Sequence, residues 1–270
     1  MKPFFRFALV ILSAVNIAHA NPPASEKPKE LDGVGITEKL GESVSIQDLV
    51  FKNEDGQEVP FPTYFQTKKP VILTLAYYSC PALCGIVLNA LTDGMKGMDW
   101  TAGNQFQVVN VSIDPRETPE LAKEKKENYV RALGKPEAAA GWHFLTGQEN
   151  QIKTLASQVG FGYRYDENKK EFAHGAGIFV LTPEGKVSRV LYGIQYRPTD
   201  LKLALLEASS GKIGTIIDRI VLFCYSYDPQ LRKYSMVFTR VLQAGALLTT
   251  LVLGLYLFLF WRKQRRTPAT

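Results

Sequence analysis

The sequence predicts an α/β domain in which a central sheet is flanked by helices. The segment 71–78 (VILTLAYY) is a nearly continuous run of apolar residues, a pattern typical of a strand buried on both faces. The segment 106–113 (FQVVNVSI) is predicted to be a second strand. Between them, Leu83, Val87 and Leu91 recur at helical spacing. A buried strand, a helix and a second strand in this order indicate a sheet with helices packed against it.

The later elements extend this sheet. Asp114 and Pro115 end the second strand, and Thr118 is predicted to cap a helix that has Pro119 at its first position and runs to Gly134. The remaining elements are a short helix around 148–159, strands at 175–181 and 187–192 joined by a turn at 183–185, and a helix at 201–209 capped by Asp200. Apart from the short helix, the order is β–α–β–α–β–β–α, which ends in an antiparallel hairpin.

We assign this domain to residues 32–210. Its first part, 32–60, alternates short apolar and polar pieces, and Glu54-Asp55-Gly56 predicts a hairpin turn within a β-rich lead-in. The preceding segment, 21–31, is polar and contains several prolines, so we interpret it as a linker without a core.

The first 20 residues resemble a secretory signal peptide. Lys2 and Arg6 accompany a short apolar run at 7–15, and Ala18-His19-Ala20 provides the small-x-small pattern of a cleavage site. The run is too short to span a bilayer. An uncleaved N-terminal anchor is the alternative interpretation.

The C-terminus predicts a transmembrane helix at 239–261. Residues 241–261 carry no charge, and about 20 helical residues cross the hydrocarbon core. The basic tail 262–270 follows directly, and such tails stay in the cytoplasm. We therefore expect a single-pass protein of the inner membrane with its domain on the periplasmic side, joined by an aromatic juxtamembrane linker at 211–238. A buried core helix is the alternative.

The charge distribution argues against a nucleic-acid partner. The formal net charge is +6, but six of the 32 basic residues lie in the two terminal segments, which contain no acidic residue. The remaining 26 basic residues equal the 26 acidic residues of 21–261. The body of the chain is therefore neutral and offers no basic excess for a polyanion.

Cys80 and Cys84 are the first candidate site residues. They lie where a buried strand becomes a helix, and their four-residue spacing puts both sulfurs on one helical face. A helix N-terminus favours thiolates, which are nucleophiles and soft metal ligands. The alternative is a structural disulfide between them, since at most two of the three cysteines can pair.

His174 is the third candidate. It precedes the strand at 177–181, and in thioredoxin-like domains the segment before this strand packs beside the cysteine-bearing turn. Two thiolates and one imidazole suit copper in either oxidation state. Zinc accepts the same donors but normally needs a fourth ligand, which is not evident. We interpret His143 as structural, and His19 leaves with the signal peptide.

Three motifs resemble the Sco/SenC family of copper-binding cytochrome oxidase assembly proteins. They are YYSCPALC (77–84), VSIDPRETPE (111–120) and FAHGAGIFVLTPEGKV (172–187). The resemblance implies a thioredoxin-like fold, one copper ion held by Cys80, Cys84 and His174, and the copper-bearing subunit of a cytochrome oxidase as partner. It also places Asp114 near the copper site, where the alternative is a residue that only ends the strand.

Some positions depart from the family pattern. Gly85 stands where a second proline is common, and Ala173 stands where aspartate often precedes the histidine. The expected C-terminal anchor is typical of a bacterial subgroup. Cys224, near the membrane, is either a residue that relays copper or pairs with a partner, or a small buried apolar residue.

Two rival functions use the same cysteines. A membrane-anchored thiol–disulfide oxidoreductase would reduce the cysteines of a copper site, and a peroxide-reducing enzyme would share the fold. Redox thioredoxins use a narrower Cys-x-x-Cys motif with a cis-proline before the strand at 177–181, where Ala176 stands here, and peroxiredoxins use Thr-x-x-Cys. The sequence therefore favours copper delivery by ligand exchange, with a thiol reductant that keeps the cysteines reduced.

Overall fold

The computed structural model describes residues 33–79, 83–210, 225–228, 233–236 and 238–264. Within these ranges, the side chains of 83–84, 225–228, 233–236, 238–242, 244 and 260–264 are outside this description. The helices are α1 (Leu83–Lys96), α2 (Pro119–Leu133), α3 (Glu149–Val159), α4 (Pro198–Ala208) and α5 (Phe238–Gln264), with 3-10 turns at Phe61–Phe65 and Pro136–Ala140. The strands are β1 (Gly35–Ile36), β2 (Val50–Lys52), β3 (Glu58–Pro60), β4 (Val71–Ala76), β5 (Gln107–Ser112), β6 (Trp142–Leu145), β7 (Phe161–Asp166), β8 (Glu171–His174), β9 (Gly177–Leu181), β10 (Val187–Tyr192), β11 (Tyr225–Asp228) and β12 (Lys233–Met236).

A five-stranded sheet forms the centre of the domain, in the order β10-β9-β4-β5-β6. Strands β4, β5 and β6 are parallel, whereas β9 runs antiparallel to both β4 and β10. All six residues of β4 and all six of β5 are buried. The nearly continuous apolar run of β4 predicts this, whereas β5 also buries the polar residues Gln107, Asn110 and Ser112. The α/β class and the terminal antiparallel hairpin are therefore confirmed.

Each face of the sheet packs against its own layer. Alternate residues of a strand point to opposite faces, so Ile72 joins a core with α1, α2 and α4, while Leu73 joins a core with α3 and the lead-in segment. The predicted lead-in hairpin is present, because β2 and β3 pair antiparallel around a turn in which Gly56 has φ +78°. Helices on both faces bury β4 and β5 completely.

The end of α1 is held by a lysine from another part of the chain. Lys135 Nζ donates to the carbonyl oxygens of Met95, Met98 and Trp100 at 3.0, 2.7 and 3.3 Å. The last carbonyls of a helix lack partners within the helix and carry its negative dipole end. The ammonium group therefore satisfies three acceptors with its three donors. This contact fixes the C-terminal end of the helix that begins at the cysteines.

Two predicted helix caps have different outcomes. The Thr118 hydroxyl accepts a hydrogen bond from the Leu121 amide at 3.4 Å, and Gly134 ends α2 with φ +73°, so these boundaries are confirmed. The prediction that Asp200 caps the last helix is wrong. The helix begins at Pro198, and Asp200 instead forms a two-bond ion pair with Arg197 at 2.8 and 2.7 Å within the first turn.

A second sheet, in the order β1-β7-β8, was not predicted. Strands β7 and β8 pair antiparallel, with Tyr163 opposite His174 and Asp166 opposite Glu171. β1 lies against β7, and Gly162 permits this approach because a Cβ there would overlap the carbonyl oxygen of Gly33. His174 thus ends a strand of a hairpin, and only Gly175 and Ala176 separate it from β9.

Helix α5 covers the apolar C-terminal segment. Its described side chains are largely exposed, including Leu251, Leu255 and Phe258. Within the described part of the chain, no helix combines the length and apolar content needed to cross a bilayer. The predicted linker 211–238 contains β11 and β12, which pair antiparallel. The signal peptide, the linker 21–31, Cys224 and the end of the basic tail lie outside the described residues.

Candidate metal centre

The cysteines belong to the connection between the central strand and the first helix. β4 ends at Ala76 and α1 begins at Leu83. Cys80 lies outside the described residues, and Cys84 is described only as a backbone position in the first turn of α1. The described residues contain no group of three or more His, Cys, Asp or Glu that could hold a metal. The convergence of the two sulfurs on His174 therefore remains a prediction.

The imidazole of His174 lies beside the chain that leads into Cys80. Phe172 and His174 share one face of β8 because side chains two apart in a strand point the same way. Both contact Tyr77, with ring centroids 5.4 and 6.2 Å apart. Tyr77 precedes Cys80 by three positions. The hairpin β7–β8 thus brings the histidine to the strand-to-helix connection, although 90 positions separate it from Cys84 in the sequence.

The protonation state of His174 suits a metal ligand. Its Nδ1 lies 2.8 Å from the carbonyl oxygen of Gly175, and since a carbonyl only accepts, Nδ1 must be the protonated nitrogen. The lone pair is then on Nε2. Burial lowers the pKa of His174 below its usual value, although the bond to Gly175 opposes this shift. A neutral ring whose other nitrogen is hydrogen-bonded is the usual form of a metal-binding histidine.

Asp114 lies at the end of β5, buried at 5 % exposure. Its two carboxylate oxygens accept hydrogen bonds from Nε and NH2 of Arg116, both at 2.8 Å. Burial raises the pKa of Asp114, but the hydrogen bonds from Arg116 outweigh this and the pKa lies below its ordinary value. Asp114 is therefore ionised at neutral pH and engaged in an ion pair. The implied position near copper stays a prediction.

Glu117 is a residue that the sequence did not single out. Its Oε1 accepts from the amide of Ser79 at 2.6 Å and from the Ser79 hydroxyl at 2.7 Å. Its Oε2 accepts from the amide of Tyr78 at 2.8 Å and from the Ser112 hydroxyl at 2.6 Å. One carboxylate therefore holds the two residues that directly precede Cys80. Its sequence signal is its place in the VSIDPRETPE motif (111–120), in the segment between β5 and α2.

His143 is part of a separate cluster. It lies on β6 with its ring 4.7 Å from that of Tyr64. Burial lowers its pKa to about 4, and of the two nearby charges Glu54 raises it and Lys126 lowers it. Glu54 itself accepts from the Phe144 amide at 2.9 Å and pairs with Lys126 at 3.0 Å. These contacts are those of a packed, neutral ring, as a structural role requires.

Comparisons with known proteins match this fold and these motifs. The SCO1 protein homolog of Bacillus subtilis (strain 168) is 23% identical over 173 residues, which cover 61% of this chain and 82% of that protein. An Aquifex aeolicus VF5 protein described as a candidate electron transfer protein superposes with a TM-score of 0.56 at 24% identity, over 64% of this chain and 96% of that one. BsSco, described as a member of the Sco family of cytochrome c oxidase assembly proteins, has a TM-score of 0.51 at 21% identity, over 66% and 99%.

The structural likeness shows an α/β fold with a central sheet and flanking helices, which is the thioredoxin-like fold of the Sco proteins. The family model SCO1/SenC matches residues 42–204, which include all three motifs of the cysteine, Asp114 and His174 segments. This chain belongs to the SCO1/SenC family.

Proposed function

We propose that this chain is a copper metallochaperone that delivers copper to, or matures the copper site of, a respiratory cytochrome oxidase. The observation that carries the proposal is the position of His174, a neutral imidazole in ring contact with Tyr77 just before Cys80. A strand-to-helix cysteine pair is also found in redox enzymes, but a partly buried histidine beside it adds a donor that metal binding uses.

The proposed ligands are Cys80, Cys84 and His174, which would bind one copper ion. Two thiolates hold Cu(I) with linear geometry, and an imidazole nitrogen adds the donor that Cu(II) prefers. A three-donor set leaves room for an incoming ligand, as transfer to a recipient requires. Zinc fits this set less well, since structural zinc sites are usually four-coordinate.

The proposed mechanism is ligand exchange that is gated by thiol oxidation. Cys80 and Cys84 must be reduced before they bind copper, because a disulfide has no thiolate to donate. A dithiol reductant would supply two electrons and two protons and become a disulfide itself. The cysteines of the recipient would then displace Cys80 and Cys84 one at a time. Oxidation of the pair is expected to abolish copper binding.

A thiol–disulfide oxidoreductase that reduces a copper site is the second candidate function. It is favoured by the sequence positions of the cysteines, with Cys80 after β4 and Cys84 in the first turn of α1, because redox-active cysteines also lie at helix N-termini. This activity would depend on the cysteines but not on His174. The two functions are therefore separated by a His174 variant.

We also propose, from the sequence of the C-terminal segment 239–261, that this segment anchors the chain in the inner membrane with the domain on the periplasmic side. The support comes from the uncharged segment 241–261 and the basic residues that follow it. The large apolar side chains along the middle of α5, such as Leu251 and Phe258, are exposed, as lipid contact requires. Protease accessibility in intact spheroplasts tests the orientation.

Copper titration of the reduced full-length chain tests the main proposal. We expect one copper per chain, and no binding by Cys80→Ser. His174→Ala should weaken Cu(II) binding more than Cu(I) binding, because two thiolates alone hold Cu(I). His143→Phe is the matched control and should bind both ions like the wild type. Equal and negligible effects of His174→Ala on both ions would remove this residue from the site.

An insulin-reduction assay separates the second candidate. A metallochaperone should reduce insulin slowly, and His174→Ala should leave that rate unchanged. Rapid reduction by wild-type protein that binds no copper would instead support the oxidoreductase.

A further inference from the structure

We propose that the segment Asp114–Glu117 is a clamp that positions both halves of the metal centre, with Glu117 as the positioning residue for the cysteine connection and Arg116 for the His174 hairpin. This inference rests on the proposed copper function. Arg116 and Glu117 are consecutive, yet their side chains contact different ligand-bearing elements of the domain.

Glu117 binds the chain just beyond the point where the β4–β5 pairing ends. The β4–β5 ladder stops at the pair Ala76 and Ser112. Beyond Tyr77, the amides of Tyr78 and Ser79 donate to the two carboxylate oxygens of Glu117 at 2.8 and 2.6 Å. Because hydrogen bonds to an ionised carboxylate are stronger than neutral ones, Glu117 fixes the backbone up to the residue before Cys80.

A carboxylate is required at this position because all four of its partners are donors. Two backbone amides and the hydroxyls of Ser79 and Ser112 point at the oxygens of Glu117. An ionised carboxylate only accepts, whereas an amide side chain would present an NH2 group to two of these donors. Glu117→Gln therefore keeps the shape of the side chain but leaves about half of the contacts without an acceptor.

The arm formed by Arg116 reaches the hairpin that carries His174. Its guanidinium is oriented by the two hydrogen bonds to Asp114 and lies over the ring of Tyr165, 4.9 Å from the centroid. It is also 6.0 Å from the centroid of Phe172. Phe172 is two residues before His174 on the same face of β8 and touches Tyr77. Cation–π contacts of this kind favour one placement of the hairpin.

The clamp explains how ligands from distant parts of the chain can be held at a fixed separation. The cysteine connection and the β7–β8 hairpin belong to different sheets. A rigid link between them reduces the ordering that copper would otherwise have to impose, and preorganisation of this kind increases affinity. Loss of residues that orient metal ligands typically lowers metal affinity by about 10- to 100-fold.

The test compares Glu117→Gln with Glu124→Gln in the full-length reduced chain. Both remove one negative charge, but Glu124 is an exposed residue of α2. We expect Glu117→Gln to lower the affinity for Cu(I) and Cu(II) by about tenfold or more and to shift the sulfur-to-Cu(II) charge-transfer bands. Arg116→Ala should weaken Cu(II) binding more than Cu(I) binding, because it acts through the His174 hairpin. Glu124→Gln should match the wild type.

A second readout does not involve copper. In the reduced apoprotein, the rate of iodoacetamide alkylation at Cys80, resolved by mass spectrometry, should rise in Glu117→Gln because the preceding backbone is released. Arg116→Ala and Glu124→Gln should leave this rate unchanged. Circular dichroism establishes which variants are folded, and Ser79→Ala, which removes only one hydroxyl donor, replaces Glu117→Gln if that variant does not fold, with a smaller change expected in the same direction.

The outcomes distinguish this inference from the function on which it rests. If the wild type binds no copper, the proposed function fails, and the alkylation rates alone decide whether Glu117 positions the cysteine connection. If folded Glu117→Gln shows wild-type alkylation and wild-type copper spectra, the clamp is wrong even though the copper function stands. A variant that loses only thermal stability, without a change in spectra or alkylation, also contradicts a positioning role.

Discussion

Stability between pH 6.5 and 4 should depend on His143. Burial lowers the pKa of His143 from 6.5 to about 4 in the folded chain. In this window the unfolded chain binds a proton that the folded chain does not. The contribution of His143 to the free energy of unfolding is therefore fully present above pH 6.5, and it decreases as the pH falls toward 4. The full difference corresponds to about 3 kcal/mol at most.

The charges near His143 set the limits of this effect. Glu54 raises the pKa of His143 and Lys126 lowers it, while the ring of Tyr64 covers one side. The carboxylate of Glu54 already accepts from the Phe144 amide and pairs with Lys126. Its attraction for a protonated His143 therefore offsets only part of the cost of burying the imidazolium charge.

Urea denaturation of the reduced, copper-free chain from pH 7.5 to 4.5 measures this effect. His143→Phe keeps a ring against Tyr64 but cannot titrate, so its free energy of unfolding should decrease less over this range than that of the wild type. His174 also has a pKa lowered by burial and contributes in both chains, so the difference between the two curves isolates His143. Parallel curves for the two chains would refute the reasoning.

The remaining predictions concern packing around the site. Lys135→Met should destabilise the chain by about 1.5 to 3 kcal/mol, because the carbonyl of Met95 in the last turn of α1 and those of Met98 and Trp100 just after it lose a charged donor. Thermal unfolding with exposed Lys169→Met as control measures this. Gly162→Ala should cost about 1 to 3 kcal/mol, because the new Cβ would overlap the Gly33 carbonyl. Gly85→Ala, where a Cβ meets no atom within 4 Å, should instead stabilise α1 by about 0.5 to 1 kcal/mol. A Gly162→Ala chain as stable as the wild type would contradict the close approach of β1 and β7.

The central sheet was predictable because its signals are local. β4 is a nearly continuous apolar run, β5 is rich in valine and is followed by Asp114 and Pro115, and the caps of α2 follow from Thr118, Pro119 and Gly134. The wrong prediction that Asp200 caps the last helix has a physical reason. Acidic residues are favoured both at the N-cap and in the first turn of a helix, and only the structure shows that Arg197 precedes the helix and binds this carboxylate.

The β7–β8 hairpin was missed because its signals are weak. The strand residues next to its turn, Asp166 and Glu171, are polar, and the turn itself contains no glycine. The position with positive φ is Lys170, at +54°, where glycine or asparagine would be the usual signal. The strand pairing depends instead on contacts that are distant in sequence, such as β1 against β7 and Phe172 against Tyr77. His174 was therefore placed beside the cysteine connection, but the strand that holds it was not identified.

Glu117 could not be recognised from the sequence because an acidic residue just before a helix usually interacts with the helix dipole or with solvent. Its partners become neighbours only in the folded chain, because Tyr78 and Ser79 follow β4 whereas Ser112 ends β5. This contact bears on the choice between the two functions. A thiol reductase needs only the cysteine connection that Glu117 holds, whereas a metallochaperone also needs the hairpin that Arg116 holds. Only a metal-binding role for the hairpin predicts that Arg116→Ala and His174→Ala both keep thiol exchange and both weaken Cu(II) binding.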